Sequence, residues 1–302
     1  MSKKVLAIYF SQTGQLGDII DNLTAPLIQA GESVEKVRIQ TKIKYPFPWT
    51  GKAFFAQMPD CVKGVPTELE PFELKEKSYD LIILGYQAWF LSPGIPSNSI
   101  ILHPSIQAVL KNTPVVTITG ARNMWISAME RVKKALFEAG AKLVGNIALV
   151  DNHHNFVSFV TLLRWMFAGK KDRLWNIFPK AGVAEEDILH TKVFGEIINK
   201  HLESGNWDGM QDELLLEKAV VVKYNLMFIE SKARKIFAVW ANIIVKKKNR
   251  TPWLVAFKYY LLIALFIAAP IILTVDAIFF KPFLSGRIKR QKQYYSGITY
   301  NS

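Results

Sequence analysis

The sequence predicts an α/β fold, a doubly wound five-stranded parallel sheet that carries an apolar, basic α-helical extension at its C-terminal end. Three observations lead there. Short apolar runs alternate with stretches of helical periodicity from residue 5 to residue 202, the pattern of successive strand–helix units. The first run passes directly into Ser11-Gln-Thr-Gly14, a turn of hydroxyls and glycine at a strand-to-helix junction. The charge is also divided along the chain. Residues 1–217 hold 23 Lys/Arg and 23 Asp/Glu, whereas residues 218–302 hold 15 Lys/Arg and two Asp/Glu, so the whole excess of +13 lies in the last 85 residues.

Residues 5–10 form the first strand, because a continuous apolar run between lysines and a polar turn suits a strand buried on both faces. Leu16, Ile19, Ile20, Leu23, Leu27 and Ile28 keep helical spacing up to Gly31, a natural helix end. Residues 33–39 alternate as a second strand. Residues 40–77 read as a long loop with Pro46, Pro48, Pro59, Pro66 and Pro71, an aromatic cluster of Tyr45, Phe47, Trp49, Phe54 and Phe55, and a short helix around 51–58. Strands follow at 79–84, 113–119 and 142–150, with a helix at 127–139 between the last two. An apolar, aromatic insertion (156–178) precedes a helix at 185–202, and residues 213–247 form a long helical candidate with broad apolar coverage. The division that results is a sheet domain over residues 1–205, with the insertion at about 151–184, and a helical extension over residues 206–302.

The single cysteine, Cys61, excludes an intramolecular disulfide, and the N-terminus lacks the apolar core of a secretory signal, so a cytoplasmic location is expected. The basic residues of the tail flank the most apolar stretch of the chain, residues 251–284. That favours an anionic membrane surface over nucleic acid as the partner. Uninterrupted apolar sequence covers 17 residues between Lys258 and Asp276, the lower limit for a span. Pro270 divides the longer stretch, and basic clusters stand at both ends. A shallow hairpin or interfacial helix pair on the cytoplasmic face of the inner membrane is expected first, a single span second, and a lid over the sheet domain third. A homodimer is left open.

In a parallel sheet ligands bind beyond the carboxyl ends of the strands, which singles out three loops. The first, Ser11, Gln12, Thr13, Gly14, Gln15 and Leu16, offers hydroxyls and backbone N–H groups to a phosphate and has neither the spacing of a dinucleotide loop nor that of a P-loop. The second contains Gln87, Ala88, Trp89 and Phe90. The third is Thr119, Gly120, Ala121, Arg122, Asn123, Met124 and Trp125. Asp151-Asn-His153-His154 is the sole histidine cluster and follows the fifth strand on the same edge, where His153 or His154 can serve proton transfer. A metal site is not expected.

The first loop resembles the phosphate loop of the flavodoxin superfamily, Ser/Thr-x-Thr-Gly-x-Thr, in Ser11, Thr13 and Gly14, with Leu16 in place of the final Thr. The resemblance covers residues 3–150 and the 185–202 helix, and it implies an FMN-dependent oxidoreductase. The phosphate contact of the missing hydroxyl then passes to Gln12, Gln15 or backbone. By the same resemblance Trp89, backed by Tyr86 and Phe90, lies against the flavin ring, and the 119–125 loop closes over its pyrimidine edge. Arg122 then stabilises negative charge, and Asn123 bonds flavin or substrate. The whole arrangement is similar to the dialkylresorcinol condensing enzymes of flexirubin- and arylpolyene-type lipid pathways. That likeness implies oxidation of a dialkyl-cyclohexanedione to a dialkylresorcinol, a lipid-like substrate. Alternatives are an NAD(P)H-dependent quinone or flavin reductase, an electron carrier docking to a membrane partner, and a flavin-free adaptor.

Overall fold

The computed structural model describes residues 2–151, 155–171 and 180–300. Five strands, β1 (Lys4–Tyr9), β2 (Ser33–Arg38), β3 (Leu81–Tyr86), β6 (Pro114–Ala121) and β7 (Lys142–Val150), pair in parallel in the order β2-β1-β3-β6-β7. Numbered within the sheet this is 2-1-3-4-5, the flavodoxin-like doubly wound order, whose switch point falls between β1 and β3. A two-residue turn joins a small hairpin, β4 (Ala88–Trp89) and β5 (Ser92–Pro93). Every residue of β3 is buried, and all but the first of β1, which explains why these strands read as unbroken apolar runs.

On one face lie α1 (Gln15–Gln29), α8 (Glu185–Ser204) and α9 (Met210–Leu216), whose Leu16, Ile20, Leu23, Phe194, Ile198 and Leu214 form one core with the strands. The helices α1 and α8 approach so closely at Gly195 that a Cβ there would stand 2.2 Å from the Leu23 carbonyl oxygen and 3.0 Å from Pro26. Since backbone cannot yield as a side chain does, Gly195→Ala is expected to destabilise the domain by about 3 kcal/mol, at the upper end of overpacking costs. A urea midpoint unchanged from the parent would contradict this close approach.

The other face is covered by α4 (Ile95–Leu102), α5 (Pro104–Leu110) and α6 (Ile126–Glu138). Between the sheet edge and the tail stand α2 (Gly51–Ala56), α3 (Met58–Lys63) and α10 (Tyr224–Val245), while α7 (Asn155–Ala168) lies against residues 47–54. The helical candidate at 213–247 is therefore two helices. Lys218 takes a left-handed φ of 60°, and Ala148 N donates to Ala219 O at 2.8 Å, so the break pairs with β7 and the cover of the sheet continues past residue 205. The third strand runs two residues later than its apolar pattern suggests, ending at Tyr86, and the fourth extends to Ala121.

The tail comprises α11 (Thr251–Ile263), a π turn (Ala264–Ala268), α12 (Ala269–Val275), a second π turn (Asp276–Phe280), a 3-10 turn (Lys281–Leu284) and α13 (Ser285–Ser296). It is one helical run of 46 residues, so the hairpin expected at Pro270 is absent. Pro270 follows the wider π turn and stands in the first turn of α12, where its missing N–H disrupts least. Both ends of the run are held by the sheet domain. Phe257 is fully buried in a third core with Met58, Val62, Leu91 and Phe237. At the other end Tyr294 donates to Glu130 at 2.8 Å, and Ile288 and Tyr295 pack on the core beneath α6.

Candidate functional site

An open cleft lies at the carboxyl edge of the sheet and holds about 1040 Å³ of free space up to and including its mouth. Of the residues singled out in the sequence, Gln12, Thr13, Gln15, Leu16, Gln87, Ala88, Trp89, Phe90, Gly120, Ala121 and Arg122 form its wall. Ser11, Gly14, Thr119, Asn123 and Trp125 do not. Ser11 is buried and its Oγ accepts from Gly17 N, Thr119 lies within β6, and Trp125 is buried in the core under α6. His153 and His154 lie outside the described residues.

The first loop leaves β1 and enters α1 at Gly14, whose φ of 91° requires glycine and whose missing side chain leaves open space. Gly14 at the N-cap offers no side chain, and Ser11 Oγ takes only Gly17 N, so the N–H groups ahead of it in the first turn face an anion's position. The two glutamines expected to supply a phosphate contact are engaged elsewhere. Gln12 donates to Pro46 O at 3.2 Å and accepts from Trp49 Nε1 at 3.3 Å, while Gln15 bonds the backbone N and O of Val183, each at 3.2 Å. Gln15 thereby ties α1 to the entry of α8, and neither glutamine side chain is left over for a ligand at this loop.

The second loop is strained. Phe90 and Leu91 sit at φ 48° and 59° in the two-residue turn of the β4–β5 hairpin, positions where Asn-Gly is usual. Left-handed backbone in such residues costs about 1–3 kcal/mol each, so packing must hold it. Phe90 lies 4.6 Å from Phe54 by ring centroids, and Leu91 enters the third core. The Cys61 thiol, its pKa pushed up by burial and hence neutral, donates to Trp89 O at 3.1 Å and pins the hairpin from below. Trp89 meets Tyr45, Trp49 and Phe10 edge to face at 5.3, 5.7 and 6.3 Å.

In the third loop Gly120 backs onto Ile19, and Asp151 N donates to the carbonyls of Ala121 and Arg122 at 3.2 and 3.0 Å. This fixes the buried Asp151 on the cleft wall beside Arg122. Burial lowers the Arg122 pKa from the usual guanidinium value, and the Asp151 charge acts in the opposite sense. Sequence reasoning placed Asp151 only in a histidine cluster; its position as the residue after a parallel strand was the available signal.

The loop leads into α6, whose Ser127 N donates to Glu230 Oε1 at 2.6 Å, so a carboxylate from α10 sits at the N-terminus of α6. Burial pushes the Glu230 pKa up to about 7, outweighing the lowering by the Ser127 bonds. The folded chain thus binds this proton more tightly than the unfolded one. Its contribution to stability is complete below the ordinary carboxylate pKa and is lost as pH rises through about 7. Glu230→Gln keeps the acceptor and removes the titration. The variant is expected to gain on the order of 3 kcal/mol relative to the parent between pH 4.5 and 8. Parallel stability curves for the two proteins would overturn the assignment.

The remaining wall is aromatic and apolar: Phe47, Trp49 and Phe54 from the 40–63 region, and Leu162, Trp165 and Met166 from α7. Trp49 N donates to Met166 O at 2.6 Å and joins the two segments. Gln87 Oε1 is buried on the cleft wall without a hydrogen-bond partner. A flat heteroaromatic ring bearing N–H groups and a phosphate tail, as FMN has, fits this set: a helix start whose N-cap is a glycine, an unsatisfied amide oxygen and an aromatic wall. No group of three or more His, Cys, Asp or Glu able to hold a metal occurs among the described residues.

No protein-family model matches the chain, and no curated protein matches it in sequence. Among solved structures it is similar to a flavoprotein in complex with FMN from Lactobacillus acidophilus NCFM, at 14% identity over 49% of this chain and 93% of that one, with a TM-score of 0.40. It is also similar to a flavodoxin from the domain Archaea (9% identity, 66% and 99% covered, TM-score 0.37). A third similar structure is oxidised flavodoxin 1 from Bacillus cereus (14% identity, 66% and 98% covered, TM-score 0.35).

Proposed function

We propose that the chain is an FMN-dependent oxidoreductase attached to a membrane surface and acting on a lipid-like ring, a dialkyl-cyclohexanedione that it aromatises to a dialkylresorcinol. The observation that carries the reading is the cleft. It combines a phosphate-compatible helix start on Thr13 and Gly14 with an apolar aromatic wall larger than a one-electron carrier needs. FMN, when bound, supplies the acceptor for a hydride.

The chain's own residues then have separable tasks. Thr13 and the backbone of residues 13–16 hold the phosphate. Gln87 and the backbone of residues 88–90 and 120–123 hold the ring, with Trp89 and Phe90 against it. Arg122 stabilises negative charge on an oxygen of the substrate as its acidic C–H proton leaves. His153 or His154, two and three residues after Asp151 in the chain, accept that proton. Phe47, Trp49, Phe54 and Trp165 exclude water and cradle alkyl chains.

Membrane attachment rests on the exposed apolar residues of the tail, including Ile267, Ile271, Ile278, Phe279 and Phe283. Because both ends of the helical run pack on one sheet domain, an orientation in the plane of the membrane, on its cytoplasmic side, is the arrangement we favour over a span. The test is anaerobic mixing of the yellow, purified protein with the dione while flavin absorbance is followed. Bleaching by the dione is expected; bleaching by NAD(P)H and never by the dione would make the chain a reductase instead.

A further inference from the structure

Two cavities lie between α10 and the tail, and they share Lys232. The first, between α10 and α13, is lined by Tyr224, Ser231, Lys232, Arg287, Gln291 and Tyr295 among others, and no carboxylate lies on its wall. The second, between α10 and the α11–α12 run, is apolar everywhere except at Lys232. Ala233, Ala264, Ala268 and Ala269 leave it the room that larger side chains would fill, and the π turn at Ala264–Ala268 forms part of its wall.

The charge carried by α10 and the tail themselves is one-sided. Residues 218–302 contain two carboxylates against 15 Lys/Arg, and both carboxylates are buried. Glu230 is taken up at the α6 N-terminus, and Asp276 accepts from Tyr224 OH at 2.9 Å. The solvent-facing charge of this region is therefore cationic throughout. Lys281 Nζ stands 5.5 Å from the Tyr224 ring centroid, and Lys232 Nζ stands 4.7 Å from that of Phe228, which places further positive charge at the mouth of the first cavity. Ile271 and Ile272, beside the second, are exposed.

We propose that the two cavities form one binding site for a single anionic phospholipid. Its phosphate is held by Lys232 and Arg287, and one acyl chain lies in the alanine-lined groove. Lysine and arginine on the facing walls of α10 and α13 match a phosphodiester, and the apolar groove opens beside exposed isoleucines on the surface that the proposed membrane attachment, on which this inference rests, turns to lipid. The site is independent of the flavin reading, since none of its residues belongs to the cleft wall.

The test is native mass spectrometry of the full chain in detergent containing equimolar phosphatidylglycerol and phosphatidylcholine. The parent is expected to retain one phosphatidylglycerol in preference to phosphatidylcholine. Lys232→Gln with Arg287→Gln should lower that occupancy on the order of tenfold. Lys289→Gln with Arg290→Gln removes the same charge from exposed positions of α13 outside the cavity and should leave occupancy unchanged. Equal loss in the two pairs would reduce the effect to diffuse attraction and overturn the site. Ala268→Trp, which fills the groove, should also expel the lipid. Retention in that variant would mean that only a phosphate is recognised, and the phospholipid assignment would fail. An unaltered thermal midpoint in each variant confirms that folding is not what changed.

Discussion

Thr13→Glu is expected to yield a colourless protein with the stability of the parent stripped of flavin. Residues 11–16 contain no Lys or Arg, and the Arg38 guanidinium beside the loop donates to Ser11 O at 2.8 Å, so a phosphate there draws chiefly on N–H dipoles at the start of α1, each contributing roughly 0.3–1 kcal/mol and together a few. A carboxylate at residue 13 competes for those N–H groups and repels the phosphate. At a separation of about 4 Å and an effective dielectric near 20 the repulsion is about 4 kcal/mol per unit charge. Flavin affinity should fall at least 1000-fold. Because Thr13 lies on the cleft wall and outside the buried core, the urea midpoint should equal that of the flavin-free parent. Flavin content per chain and fluorescence titration with added FMN measure the effect, and Thr13→Ser, which keeps the hydroxyl, should remain yellow. Undiminished flavin in the glutamate variant would remove the phosphate from this loop and, with it, the functional reading of the cleft.

The parts of this structure that were legible in the sequence are those governed by burial alone. Residues 142–150 were read as a strand and β7 occupies the same residues, because an apolar run bounded by Lys142 and Asp151 admits little else. The helix read at 185–202 extends only to Ser204, its end set by the left-handed Gly205. What escaped was governed by backbone conformations that residue types do not advertise. Phe90 and Leu91 carry a turn that would ordinarily be marked by Asn-Gly, so the β4–β5 hairpin left no signal. Lys218 in a left-handed conformation separates α9 from α10, while the apolar spacing on either side ran on as though nothing intervened. Pro270 gave a strong breaker signal that the preceding π turn absorbed.

The site shows the same division. The three loops were identifiable because strand order fixes where they gather, and their wall residues meet in one cleft. The partners of individual side chains were not. That Gln15 is consumed by Val183, or that Asp151 is brought beside Arg122, depends on pairings across 168 residues in the first case and across the β6–β7 edge in the second.

Replacing Ile267, Ile271 and Phe279 together by glutamate is expected to convert a membrane-bound protein into one that stays in the supernatant without detergent. These side chains are 57%, 59% and 62% exposed, and none belongs to a core, so the fold has no stake in their being apolar. Burying each in lipid contributes roughly 1.5–3 kcal/mol, and losing three removes about 5 kcal/mol or more, a change in partition beyond 1000-fold. Deleting the tail outright would be a poorer test, because Phe257 and Tyr295 pack into the sheet domain and their loss would expose its cores. The parent should resist extraction by salt, since apolar insertion is not screened by ions, and the triple variant should keep its flavin. Persistent sedimentation of the variant with membranes in high salt would show that the helical run is not the anchor. Orientation can then be read with a membrane-impermeant thiol reagent at Asn249→Cys and Lys292→Cys, against little background because the native Cys61 is 1% exposed. Labelling of both positions from one side fits a helical run whose two ends rest on the same domain; labelling from opposite sides would require those ends to separate by the thickness of a bilayer, and the in-plane arrangement would be lost.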